Sequence, residues 1–227
     1  MKFTWMKWSA LPVAVLLAGS VAMAQDQSSS GSQSSSSQSG SSATPAPAEK
    51  PNPVVEQRKE NQQDRVANGV KSGQLTAGET AKLEKKEAAI NKETAADRAA
   101  NGGKLTAAEK KQVNRQQNQL SKQIYTDKHN ANTAHYGNNK VGQRRENQQD
   151  RIANGVKSGQ LTAGETAKLE NQQKGINKEV AADRKANGGK LNASEKKQTN
   201  KEQNAASKNI YHKKHNAKTQ SQAEPKP

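Results

Sequence analysis

The sequence predicts an all-α protein, built as two tandem copies of a three-run helical unit behind a disordered Ser-rich leader. Three observations carry that prediction. Gln57 to Ala131 realigns without a gap on Gln143 to Ala217 at an offset of 86 residues, and 56 of the 75 aligned positions are identical. Identity this dense means that one fold serves both copies and that any site occurs twice. Within each copy, apolar residues recur at helical spacing. Thr or Asn followed three residues later by Glu opens the second and third runs, and Gly closes the runs.

The elements follow in chain order. Lys2 and Lys7, the apolar run from Ala10 to Ala18 and the small-x-small site Ala22-Met-Ala24 have the form of a secretory signal over residues 1–24. The apolar run falls short of the roughly 20 residues needed to span a bilayer. Ser20 stands where a bacterial lipoprotein box carries its lipid-bearing Cys, so no lipid anchor is expected. The product is expected to be periplasmic or secreted, with no transmembrane span after cleavage. Residues 25–53 are Ser/Gln-rich and then Pro/Ala-rich, a flexible coil leading into a stiffer spacer.

The first helical repeat, 54–131, has three runs. Run one, from Val54 to Lys71, sets Val55, Gln62, Val66 and Val70 near one face and stops at Ser72-Gly73. Run two opens on the capping box Thr76/Glu79, carries Leu83 and Ile90 seven apart, and ends at Asn101-Gly102-Gly103. Run three opens on Thr106/Glu109, with Val113, Leu120 and Ile124 as a narrow stripe. A polar linker, 132–142, leads to the second repeat, 143–217, whose caps are Thr162/Glu165 and Asn192/Glu195. There Thr199 replaces Val113 and Ala206 replaces Leu120, which predicts a looser third run if that face is buried. Residues 218–227 form a polar tail.

Composition limits the core. Beyond Ala24 the chain has no Phe, Trp, Met or Cys, and its aromatics are Tyr125, Tyr136 and Tyr211. Val, Ile and Leu number 20 among those 203 residues, which predicts a thin core. Absence of Cys excludes disulfides and thiolate chemistry. The net charge is +16, or +14 once Lys2 and Lys7 leave with the signal. The excess is spread over both copies, with 15 Lys/Arg against 9 Asp/Glu in the first and 16 against 8 in the second. A basic exported chain meets anionic polymers and surfaces, and the same charge also keeps a core-poor protein dispersed.

The turns between runs resemble EF-hand calcium loops. Such a loop takes oxygen ligands from positions 1, 3, 5, 7 and 9, Gly at 6, an apolar residue at 8 and Glu at 12. Counted back from Glu79, Asn68 stands at 1, Val70 at 3, Ser72 at 5, Gly73 at 6, Gln74 at 7, Leu75 at 8 and Thr76 at 9. The second copy supplies Asn154, Ser158, Gln160, Thr162 and Glu165 at the mates of the ligand positions. Counted back from Glu109, Arg98 stands at position 1, Ala100 at 3, Gly103 at 6 and Leu105 at 8. The resemblance implies a degenerate EF-hand pair in each copy, its two turns side by side; no cofactor is expected, calcium being the one ion that the resemblance would allow. Val70 and Arg98 occupy ligand positions, and the same Thr, Glu and Gly residues serve equally as helix caps and turn formers. The repeat also resembles uncharacterised exported bacterial proteins carrying Gly-Val-Lys-Ser-Gly-Gln-Leu-Thr and Ile-Tyr-x-x-Lys-His-Asn. That likeness brings no activity with it.

Catalysis finds no motif. The sequence has neither a Gly-x-Ser-x-Gly elbow nor a Walker loop, and Glu84, Glu87 and Asp97 are expected on solvated, polar helix faces among lysines. His212 and His215 are spaced for a metal on one helix, but the first copy has Thr126 at the mate of His212. No enzyme is expected. The function expected is a non-enzymatic exported interaction or envelope-associated protein that binds polyanions. The residues for this are Lys110, Lys111, Arg115, Lys122 and Lys128, with Lys196, Lys197, Lys201, Lys208, Lys213 and Lys214. Such binding is electrostatic and blind to nucleotide sequence. Weak calcium binding is the alternative.

Overall fold

The computed structural model describes residues 53–220; residues 1–52, where the sequence predicts a signal and a Ser-rich leader, and residues 221–227 lie outside the described residues. Within them are six helices and no strand: α1 (Pro53–Lys71), α2 (Ala77–Ala100), α3 (Ala107–Lys128), α4 (Lys140–Lys157), α5 (Ala163–Ala186) and α6 (Ala193–Lys214). Among the described residues no helix is long and apolar enough to cross a membrane.

Local chemistry sets these boundaries. Thr76, Thr106, Thr162 and Asn192 each take extended backbone, accept the amide of the Glu three residues on, and receive that Glu's carboxylate on their own amide. All four capping boxes anticipated from the sequence are formed. Gly73 and Gly159 end α1 and α4 at φ of 72° and 69°, where a side chain would be strained. The fourth helix starts inside the segment read as linker. Asn139 caps it, its Oδ1 accepting the Gly142 amide at 3.1 Å, so Lys140 to Gly142 are already helical.

Packing joins the copies. α1 lies along its own repeat mate α4, and α2 along its mate α5; the α2–α5 pair makes the most extensive contact in the fold. Like packed on like is the self-complementary pattern of a two-fold pair, here within one chain. α3 touches only α1 and α2, and α6 touches only α4 and α5, so these two helices flank the other four. Equivalent side-chain bonds recur at the 86-residue offset: Gln62 Nε2 donates to Gln117 O (2.6 Å) and Gln148 Nε2 to Gln203 O (2.7 Å).

The apolar core crosses between the copies. Ala153 of α4 joins the cluster of Val55, Val66, Val70, Leu83, Val113, Leu120 and Ile124, while its mate Ala67 joins Ile152, Val156, Leu161, Leu169 and Ile210. A third cluster holds Ile176, Val180, Leu191 and Ala206. Thr199 and Ala206 are fully buried, as are Val113 and Leu120, so the loss of apolar bulk in the second copy falls in the core. Val180 in place of Thr94 restores part of it.

Candidate functional site

The four turn glutamates are engaged by their own chain. Glu79 Oε2 accepts Thr76 N (3.0 Å) and Thr76 Oγ1 (2.7 Å), while its Oε1 accepts Asn130 Nδ2 (2.8 Å) and Asn132 Nδ2 (3.1 Å). Partial burial pushes this carboxyl up, but the four bonds together outweigh it and hold the group below its ordinary range. Glu165 repeats the arrangement with Thr162 N, Thr162 Oγ1 and Asn216 Nδ2. At the other turns, Asn101 Nδ2 donates to both oxygens of Glu109 (2.9 and 3.0 Å), and Asn187 Nδ2 to both of Glu195 (2.6 and 2.8 Å).

The remaining positions of the calcium-loop register are placed as follows. Asn68 and Asn154 are exposed on the last turns of their helices. Ser72 Oγ donates to Gly69 O and to Gln74 Oε1, and Ser158 does the same with Gly155 and Gln160. Val70 and Val156, at the third position, are core residues. The two turns of a copy do not lie side by side. They cap opposite ends of the continuous 24-residue helix α2, or α5, a separation of about 36 Å at 1.5 Å per residue. Among the described residues no three His, Cys, Asp or Glu side chains converge as a metal set.

The basic residues occupy the outer flanks. In α3 the buried Val113, Gln117, Leu120 and Ile124 define the inner face. Lys110, Lys111, Arg115 and Lys122 are exposed on the other sides. Their mates Lys196, Lys197, Lys201 and Lys208 are exposed on α6 in the same way. The ion pairs between described side chains involve Glu56 with Lys59 (2.5 Å) and with Arg98 (2.8 Å), so none neutralises these flanks. Lys128, Lys213 and Lys214 depart from the set. They are half-buried, and the Lys128 and Lys214 stems lie against Gly69 and Gly155. Burial and the Arg151 charge hold the Lys214 ammonium below its usual range.

The buried carboxylates correct the sequence reading. Glu84 and Glu87, expected on solvated faces, are 0% and 1% exposed, and Glu170 is 0% exposed. Gln63 Nε2 donates to Glu84 Oε2 (3.3 Å) and Gln149 Nε2 to Glu170 Oε2 (2.9 Å), leaving the other oxygen of each without a partner. Burial, the Glu87 charge and, across the α2–α5 contact, the Glu170 charge raise Glu84 well above the carboxylate range, against the Gln63 bond. Burial pushes Glu170 up to about 8. Burial likewise takes Glu87 to about 7, although the Lys59 charge pulls it back. Asp97 is half-exposed. A signal for the buried set was present: Thr80, Leu83, Glu84, Glu87, Ile90 and Thr94 fall at three-, four- and seven-residue intervals, a helical stripe whose polar members hid it.

Between the copies, the linker is docked. The Arg145 guanidinium lies 5.5 Å from the Tyr136 ring centroid, and Gly142 has no room for a side chain because a Cβ would meet Tyr136 O at 1.9 Å. Gly142 and Arg145 are the mates of Glu56 and Lys59, so the linker replaces an ion pair of the first copy. Burial of the Tyr136 hydroxyl pushes it up to about 12.

No protein-family model matches the chain, and no curated protein or solved structure matches it either.

Proposed function

We propose that this chain is a non-enzymatic, exported helical repeat protein that binds a polyanionic partner through the outer faces of α3 and α6, acting as an interaction or envelope-associated protein outside the cytoplasm. One observation carries the reading: the same exposed cations recur on both flanking helices, and no acidic side chain among the described residues pairs with them. The net charge of +16 and the secretory form of residues 1–24 support it. Each copy is a three-helix unit in this proposal, with turns that resemble degenerate EF-hand loops. Calcium binding through Glu79 and Glu165 is the competing reading. Against it stand the protein donors that engage both oxygens of each carboxylate.

Titration calorimetry with inorganic polyphosphate at low and high salt tests the proposal. Three cations engaged on one face predict a slope of log K against log salt near −2, on the order found for single strands. Binding should ignore EDTA. Salt-independent binding, or none at low salt, removes the polyanion reading; a response to micromolar calcium installs the other.

A further inference from the structure

We infer that each flanking helix carries a base-stacking platform, so that the polyanion taken up on these faces is single-stranded nucleic acid; this rests on the polyanion reading above. Tyr125 and Tyr211 are repeat mates, yet both stay 61% and 54% exposed in a chain that has few apolar residues to bury. Neither ring is loose. Tyr125 stacks on His129 with centroids 4.2 Å apart and planes 26° from parallel, and Tyr211 stacks on His215 at 4.2 Å and 25°. Each His is the C-cap of its helix and is tied back to the tyrosine's own carbonyl: His129 Nδ1–H donates to Tyr125 O (2.7 Å) and His215 Nδ1–H to Tyr211 O (2.8 Å). A carbonyl only accepts, which fixes the imidazole tautomer as well as the ring. The imidazole covers one face of each phenol, His212 meets Tyr211 edge-on with centroids 5.9 Å apart, and more than half of each tyrosine remains exposed.

The cations lie in line with these rings. At 100° per residue, Lys111, Arg115, Lys122 and Tyr125 fall within a sector of about 80° opposite the buried stripe, and Lys197, Lys201, Lys208 and Tyr211 do the same. Phosphates need cations along the strand and bases need a π-face at its side. A polymer without rings would use the lysines and leave the tyrosines idle. Among the described residues neither tyrosine hydroxyl has a hydrogen-bond partner that would explain its position by packing, and the two copies keep the arrangement although Val113 and Leu120 on the same helix are replaced. Recognition by stacking and charge is sequence-tolerant, since every base offers a ring.

The test uses the full chain, fluorescence anisotropy of a labelled oligothymidylate, and inorganic polyphosphate as the ring-free ligand. Tyr125→Leu with Tyr211→Leu should weaken oligothymidylate binding at least about fivefold and leave polyphosphate binding unchanged. Tyr125→Phe with Tyr211→Phe keeps the ring and should keep the affinity. Equal losses for both ligands, or no loss in the Leu variant, overturn the inference. Wild-type protein that binds polyphosphate without binding oligothymidylate defeats the stacking platform and spares the polyanion reading; protein that binds neither defeats both.

Discussion

Replacing Glu87 by Gln should stabilise this protein, and the gain should depend on pH. Glu87 is buried on α2, neither of its oxygens is in a well-formed hydrogen bond, Asn91 is the side-chain donor beside it, and Lys59, Glu56 and Glu84 are the charged groups around it. Its folded-state value of about 7 lies above the ordinary 4.5. The unfolded chain therefore releases this proton near pH 4.5, while the folded chain holds it to about pH 7. Stability is lost as pH rises through that window, and the loss is complete above it. A shift of that size is on the order of 3 kcal/mol for the wild-type carboxyl. The second copy shows what the replacement does. Gln173 stands at the mate position, and its Nε2 donates to Gln148 Oε1 at 3.1 Å, whereas the mate of that acceptor, Gln62 Oε1, is buried without a partner. Gln at position 87 can make the missing bond, worth about 1 kcal/mol.

Urea unfolding followed by circular dichroism at about pH 4.5 and about pH 8 reads the effect. Glu87→Gln should gain roughly 1 kcal/mol at the lower pH, from the new bond, and roughly 3–4 kcal/mol at the higher one. A gain equal at both values would show that the site is wet and the carboxyl ordinary. A net loss at pH 8 would show that the Lys59 attraction outweighs burial, and the reasoning would be refuted. Glu84 and Glu170 remain in the variant, so its stability still falls through pH 8; Glu56 and Glu79, whose carboxyls are held low, fall away in the opposite sense below about pH 4.5.

Thr199→Val should raise stability by about 1–2 kcal/mol, because the buried Thr199 Oγ1 lacks a partner; thermal unfolding decides. Leu120→Ala should cost about 2–5 kcal/mol by the same assay, since Leu120 is buried in the first cluster; a loss under 1 kcal/mol would mean that α3 repacks as α6 has done around Ala206. Calcium should bind no more tightly than about 10⁻³ M by calorimetry, and Glu79→Gln with Glu165→Gln should lower the melting temperature through the lost caps without altering any metal response. Mass spectrometry of the exported protein should find a chain beginning at Gln25; a retained Met1 would remove the export argument.

The elements were legible in the sequence because their signals are local. A capping box is read from residues three apart, and a left-handed glycine marks where a helix stops, so α2, α3, α5 and α6 begin where Thr76, Thr106, Thr162 and Asn192 place them. The start of α4 was misplaced because its cap, Asn139, lacks the returning Glu of a capping box. What could not be read was the contact between the copies. Glu84 lies on the helical stripe that Thr80, Leu83 and Ile90 mark, but nothing in its neighbours along the chain announces that Glu170 will lie across from it. The exposed cations of α3 and α6 were found because charge opposite an apolar stripe needs no partner helix to define it. Lys128 and Lys214 differ from them in exposure, since their stems lie against Gly69 of α1 and Gly155 of α4.

The buried polar layer also explains how so few apolar residues suffice. Gln62 and Gln117 bond across α1 and α3, Gln117 Nε2 reaching Val55 O at 3.0 Å, and Gln148 and Gln203 repeat this, with Gln203 Nε2 reaching Val141 O at 2.9 Å. Long amides thus fill volume that Leu or Phe fills in richer cores, and each donor is satisfied by a backbone carbonyl of the facing helix. The cost is registered in the oxygens left over, Gln62, Gln63, Gln117, Gln149 and Gln203 among them. Such bonds demand one helix register, whereas apolar packing tolerates several. The second copy has Thr199 and Ala206 in place of Val113 and Leu120 yet keeps both bonds of the glutamine pair. Each apolar cluster draws nearly all its members from one copy, so pairing of the copies through like helices adds to these interiors the α2–α5 contact across which Glu84 and Glu170 face each other.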